Sequence, residues 1–319
     1  VMPVITNTIV ELATEGESRV EPNKRAPEQG RPTLYILELI RRFPTLLLLF
    51  TLAGTGIIFG NIQAVNQLIY QPNTLIIAHR GFLEGGVENT LGSLRAAKQA
   101  GADLVEMDIQ ETKDGQFVVL HDYNLKRLAG LERESHTLTL AEFEEIEVMQ
   151  NGFRESIPSL KNYILAAKDL EIPLLIEVKP HGYESPDMAA NLVELLRSLE
   201  VNEQFLVQSL DRKLLDEIKA LGPEIKTGYV LPLNIGALPK TEHDFLVIEE
   251  FSVTPNLIQA AEKQGIPLFL WTINRDDLMR KYLRLDVDGM ITNHPDRALK
   301  FRNESEETKT FIRRVKHFL

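Results

Sequence analysis

From residue 74 onward, short apolar runs rich in β-branched residues alternate with amphipathic stretches, and no other feature limits the fold so strongly. The strand candidates are "TLIIAH", "LVEMDIQ", "QFVVLHD", "PLLIEVK", "QFLVQS", "KTGYVL", "FLVIEEF", "PLFLWTIN" and "DGMITN". Helix candidates lie between them at 90–100, 159–169, 187–199, 211–221, 255–264 and 275–283. Near-continuous apolar strands need cover on both faces, which indicates a parallel sheet wrapped by helices. The repeated order over roughly 225 residues favours a closed α/β barrel of the (β/α)8 TIM type over an open doubly wound sheet. Nine candidates compete for eight places, so one strand is irregular.

The sequence "DIQETKDGQFVVLHD" locates the irregularity. Asp114-Gly115 between two alternating apolar runs is a strong hairpin signal. A two-residue turn at that dipeptide would set Asp108 directly opposite His121, on one face of the hairpin. Glu106, two residues before Asp108, projects to the same side.

Polar residues gather where the apolar strands end: His79 and Arg80, Glu106 and Asp108, His121, Glu177 and Lys179, Gln208, Glu249, Trp271 and Asn274, and Asn293. In a barrel of this kind the carboxyl ends of the strands carry the chemistry. One histidine, or one Glu-x-Lys pair, has an ordinary surface explanation. Carboxylates interrupting "LVEMDI" and "LLIEVK" are harder to dismiss, because buried ionised groups are costly unless paired or bound to a cation. Glu106, Asp108 and Glu177 make a hard-oxygen set suited to Mg2+ or Ca2+. Arg80 and Lys179 suit a phosphate beside that cation. Two imidazoles, His79 and His121, supply the acid and base that phosphodiester cleavage requires. The absence of cysteine excludes thiolate catalysis and Cys-ligated zinc, and a net charge of −11 argues against a nucleic-acid partner.

The order HRG, ENT, E-M-D, HD, E-V-K, W-T-I-N and TNHPD closely resembles the bacterial glycerophosphodiester phosphodiesterases over residues 74 to 300. The resemblance implies a barrel of the phospholipase-C-like phosphodiesterase type, with a small insertion after the His121 strand across residues 122–158. It implies that His79 and His121 are the acid/base pair and that Glu106, Asp108 and Glu177 ligate one divalent cation. Arg80 and Lys179 would contact phosphoryl oxygens, and Trp271 would flank the glycerol pocket. Glu88 and Asn89 match the ENT element and read as supporting groups behind the site. The implied reaction is metal-dependent hydrolysis of a glycerophosphodiester to glycerol 3-phosphate and an alcohol; a domain facing outward would add polyglycerol phosphate as a substrate. Two alternatives are cleavage through a cyclic phosphate, and an idle barrel that binds lipid or polyglycerol phosphate.

The flanks differ in character. Residues 1–32 are polar, with scattered charges and four prolines, and read as flexible. Within 33–70, no charged residue follows Arg42, and the apolar run at 43–65 approaches the ~20 residues of a membrane span. Arg41 and Arg42 on one side only would place the following domain outside the cell. The expectation is a cell-membrane protein with a single or last transmembrane helix, as in the membrane-anchored subset of the family. The tail 301–319 ends in "KTFIRRVKHFL", an amphipathic pattern that reads as a docked terminal helix or, alternatively, as a surface that meets membrane lipid.

Overall fold

A computed structural model describes residues 74–304, apart from 235 and 286. All nine strand candidates form. Eight of them are parallel and close on themselves: β1 (Leu75–His79), β2 (Leu104–Glu111), β6 (Leu174–Val178), β7 (Leu206–Ser209), β8 (Lys226–Leu231), β9 (Phe245–Glu249), β10 (Leu268–Trp271) and β11 (Gly289–Thr292). The ring closes where β1 pairs with both β11 and β2. The ninth, β3 (Phe117–Val119), is antiparallel to β2 and outside the ring, so the irregular strand is the predicted one.

Several helices begin where a side chain satisfies their first N–H groups. Thr90 and Ser93 form a capping box on α1 (Leu91–Ala100), and Gly101 ends that helix at φ 88°. After β3 come α2 (Lys126–Ala129), α3 (Leu140–Glu144) and the hairpin β4 (Glu147–Gln150) and β5 (Phe153–Ser156). The outer layer continues with α4 (Leu160–Asp169), α5 (Met188–Ser198), α6 (Arg212–Leu221), α7 (Pro255–Gln264) and α8 (Asp276–Arg284). Asp211 caps α6 with its carboxylate, and Pro255 sits at the first position of α7, where no N–H is needed.

Side chains alternate between the two faces of each barrel strand. Ala78, Val105, Met107, Ile176 and Val207 face outward onto Leu94, Tyr163, Ile164, Leu192 and Leu215 of the helices. Ile77, Leu104, Leu175, Val247, Phe269 and Ile291 fill the barrel interior. The interior accommodates two aromatic rings because two strands lack side chains there. A Cβ on Gly228 would overlap the Phe245 ring, and one on Gly289 would lie 2.6 Å from Phe269. Gly228→Ala is therefore expected to lower stability by about 1–3 kcal/mol, read as a lower urea midpoint.

The segment 122–158, between β3 and α4, carries α2, α3 and the β4–β5 hairpin. Leu125, Leu128, Leu138, Phe143, Ile146 and Val148 give it an apolar cluster that also takes in Val87, Val118 and Leu120. Glu155 on β5 ties it to the barrel by accepting the backbone N–H groups of Val87 (3.1 Å) and Gly92 (2.7 Å).

Two expectations are corrected. First, the hairpin register is shifted by one residue: Ile109 pairs with Val119, Gln110 with Val118 and Glu111 with Phe117. Asp108 therefore stands opposite Leu120, whose N–H donates to the Asp108 carbonyl at 3.0 Å. The loop has three residues, Lys113 to Gly115, closed by Thr112 N–H to Gln116 O at 2.8 Å. Gly115 is left-handed (φ 71°) while Asp114 is not, so the two-residue turn that needs both in that region does not form.

Second, the membrane placement with an outward-facing catalytic domain is overturned. Among the described residues no helix is long and apolar enough to cross a membrane. The 11 residues of α5, for instance, are about half of what a span needs. The apolar run at 43–65, the polar segment 1–32 and all but the first residues of the 301–319 tail lie outside the described residues.

Candidate active site

The alternation that buries Ile77, Leu104, Leu175, Phe269 and Ile291 inside the barrel aims the residues two positions later at its open end. Those residues are His79, Glu106, Glu177, Trp271 and Asn293, with Asp108 and Lys179 one further step along. Parallel register sets them side by side: His79 beside Glu106, Asp108 beside Glu177, and Glu177 beside Gln208. His79, Arg80, Glu106, Asp108, His121, Glu177, Lys179 and Trp271 line one cavity of ≈ 140 Å3. Glu88 and Asn89 do not line it and stand behind Arg80 and Asp108.

One ligand oxygen from each of Glu106, Asp108 and Glu177 can be chosen so that all three lie within 4.8 Å of one another. Glu106 is 1% exposed, and its Oε2 accepts the Arg80 N–H at 2.9 Å. Its Oε1 has no partner. Burial, then the charges of Asp108 and Glu177, push the Glu106 carboxyl well above the usual range. An orphaned carboxylate oxygen facing two more carboxylates fits a divalent cation, which would remove the repulsion. Asp108 differs: burial also raises it, but Arg80 and Lys179 outweigh that and hold it below the usual range. Lys179 Nζ lies 2.6 Å from Glu177 and 3.4 Å from Asp108.

The HRG and ENT segments build the supports. Arg80 and Asn89 are both left-handed, at φ 57° and 60°. Gly81 follows at φ 84°, and a Cβ there would lie 2.5 Å from Ser93 Oγ, so only glycine lets α1 approach this closely. Asn89 clasps Asp108 reciprocally. Its Nδ2 donates to Asp108 Oδ2 at 2.9 Å, and its Oδ1 accepts the Asp108 N–H at 3.1 Å. Replacing Asn89 with alanine strips both partners from buried groups, and a stability loss of about 1–3 kcal/mol is expected by chemical denaturation. Glu88 accepts from Arg80 Nη1 at 2.9 Å and fixes the guanidinium against Asp108, whose Oδ2 is 3.2 Å from Arg80 Nε.

Each imidazole is held through Nδ1. His79 Nδ1 donates to Asn293 Oδ1 at 2.7 Å, an assignment set by the carbonyl acceptor. Burial, then the neighbouring Arg80 charge, lowers the His79 pKa from 6.5 to about 4, so the ring is neutral at neutral pH. His121 Nδ1 meets Asp122 Oδ1 at 2.8 Å. The remaining oxygen of Asp122 accepts from Arg127 Nε at 2.6 Å, and Arg127 also donates twice to Glu88, at 2.9 and 2.6 Å. A continuous chain of hydrogen bonds and ion pairs thus joins His121 to Arg80 through Asp122, Arg127 and Glu88. Gln150 on β4 closes it by donating to Glu88 Oε2 at 2.8 Å.

Asp122, Arg127, Gln150 and Gln110 were not foreseen from the sequence. Asp122 had a signal, its place next to His121. Gln110 had one too, since it continues the two-residue period of Leu104, Glu106 and Asp108. Arg127 and Gln150 had none, because only the fold of the segment 122–158 brings them to Glu88.

Carboxylates grouped so that they could hold a cation, with a guanidinium and an ammonium beside them, fit a barrel enzyme that works on phosphate esters. Residues 79–297 match the Glycerophosphoryl diester phosphodiesterase family, and the chain belongs to it. A glycerophosphodiester phosphodiesterase of Caldanaerobacter subterraneus subsp. tengcongensis is 30% identical over 237 residues, covering 70% of this chain and 95% of the relative. Another from Bacillus altitudinis is 29% identical over 245 residues, covering 72% and 99%. Among solved structures, an Oleispira antarctica phosphodiesterase in complex with the product sn-glycerol-3-phosphate superposes with a TM-score of 0.64 at 25% identity, covering 72% of this chain and 96% of that one.

Proposed function

We propose that the barrel spanning 74–300 hydrolyses glycerophosphodiesters to glycerol 3-phosphate and an alcohol. The observation that carries this reading is the convergence of Glu106, Asp108 and Glu177 in one cavity with His79, His121, Arg80 and Lys179. The product named for the Oleispira antarctica relative supports it.

Glu106, Asp108 and Glu177 would hold Mg2+ or Ca2+, which when bound withdraws charge from the phosphoryl group. Arg80 and Lys179 bind phosphoryl oxygens and orient them. Both cations are already aligned by carboxylates, so little ordering remains when substrate arrives. His79, neutral because it is buried, takes the proton of the attacking water. His121, its ring held by Asp122, delivers a proton to the departing alcohol. Trp271, whose buried Nε1 has no partner, stands where a glycerol hydroxyl can accept from it. A second cavity of ≈ 780 Å3 shares His121 and Lys179 with the first. It gives the alcohol side room for a headgroup or a polyglycerol-phosphate fragment.

The test is release of glycerol 3-phosphate from glycerophosphocholine by the purified chain with added Mg2+ or Ca2+. No release from this ester or from a panel of other glycerophosphodiesters would overturn the reading.

A further inference from the structure

We propose that Gln110 is a positioning residue that sets where His121 stands. The hairpin register pairs Gln110 with Val118 and Asp108 with Leu120. Continued by one residue, it would place His121 opposite Met107, which faces the helices and not the barrel mouth. The chain therefore has to leave the ladder at Leu120, whose N–H makes the last bond to β2, and its carbonyls from Leu120 onward have no strand partner.

Gln110 takes over these carbonyls. Its side chain is 1% exposed. Its Nε2 lies 3.0, 2.9 and 3.0 Å from the carbonyl oxygens of Leu120, His121 and Asp122, two protons serving three acceptors. Its Oε1 accepts from Ser135 Oγ at 2.5 Å, which fixes the amide with its nitrogen toward those carbonyls. One side chain, rooted two residues beyond Asp108, thus ties the strand of the carboxylates to the backbone of the imidazole. Asp122 orients the ring, and Gln110 locates the residue. A displacement of about 1 Å between reacting groups can cost about 100-fold in rate, so this tie reaches the chemistry without touching substrate.

The inference rests on His121 being a reacting group, as proposed above. The experiment measures kcat and KM of the full chain with glycerophosphocholine and Mg2+ for Gln110→Met, His121→Ala and the double variant. Gln110→Met preserves volume and removes the donors. It is expected to lower kcat by about 10- to 100-fold with KM changed less than about twofold. Added to His121→Ala, it should lower kcat no further. A Gln110→Met variant within about twofold of the parent in kcat overturns the proposal. So does a loss that multiplies with that of His121→Ala, since Gln110 would then act elsewhere. If Gln110→Met does not fold, Gln110→Glu, which keeps the Ser135 bond, serves in the same cycle. A fully active His121→Ala would overturn the role of His121 itself, an outcome recognisable without any Gln110 variant.

Discussion

His79→Ala and His121→Ala are each expected to lower kcat by about 100- to 10,000-fold while the barrel stays folded. Both rings are only partly buried and keep an edge on the cavity, 18% of the His79 side chain and 31% of the His121 side chain being exposed. His79 stands at the end of β1 with one hydrogen bond, to Asn293, and His121 lies beyond β3, held by Asp122 and by its own backbone. Thermal melts within a few degrees of the parent, beside a collapsed kcat, would separate lost chemistry from lost structure; unchanged kcat in either variant would remove that histidine from the mechanism.

The pH dependence gives His79 a second signature. Its folded pKa, about 4, lies below the ordinary 6.5. Below 6.5 the unfolded chain takes up the proton first, so the parent loses stability as pH falls from 6.5 towards 4, and this contribution is fully retained above 6.5. His79→Ala should flatten that part of the stability profile. The same shift keeps the base unprotonated in mild acid, so the acid limb of kcat/KM attributable to His79 should lie well below 6.5.

Removal of divalent cations is the second large effect. In excess chelator, glycerol 3-phosphate release is expected to fall at least about 100-fold and to return with Mg2+ or Ca2+. Full activity in chelator would sink the metal assignment. Glu106→Gln tests the same site without turnover. The raised pKa of Glu106 means its ionised form opposes folding: stability is retained below about 4.5 and lost as pH rises through the folded value. The metal-free Gln variant should therefore melt higher than the metal-free parent at neutral pH. The parent should gain stability with added cation, about 2.7 kcal/mol at 100 times the dissociation constant, whereas the variant should respond weakly. A Gln variant that melts lower without metal and still responds fully to it would contradict the role of Glu106.

Much of this was legible in the sequence because it follows from period alone. Runs such as "TLIIAH" and "PLLIEVK" are strands wherever they lie, and a parallel barrel sends their last inward residues to one end. His79, Glu106, Asp108, Glu177 and Trp271 could therefore be assembled from strand patterns and the direction of the chain. Glu88 and Asn89 could be singled out by the ENT motif, but their partners could not. Arg80 and Asp108 are distant in sequence from what supports them, and left-handed backbone at Arg80 and Asn89 leaves no period to read.

The hairpin shows where local reasoning stops. Asp114-Gly115 correctly announced a turn, and the sequence alone determined that β2 and β3 would pair. Whether the loop held two residues or three depended on which of them took the left-handed conformation, and that single step changes the face to which every later side chain points. Only the tertiary structure decided it, and only the tertiary structure brought His121 to the mouth despite it. It did so through Gln110, Ser135 and the link from Asp122 through Arg127 to Glu88. The sequence carries the strand period, which is a property of neighbouring residues. The position of the second imidazole depends on hydrogen bonds between segments that only the closed barrel and the segment 122–158 bring together.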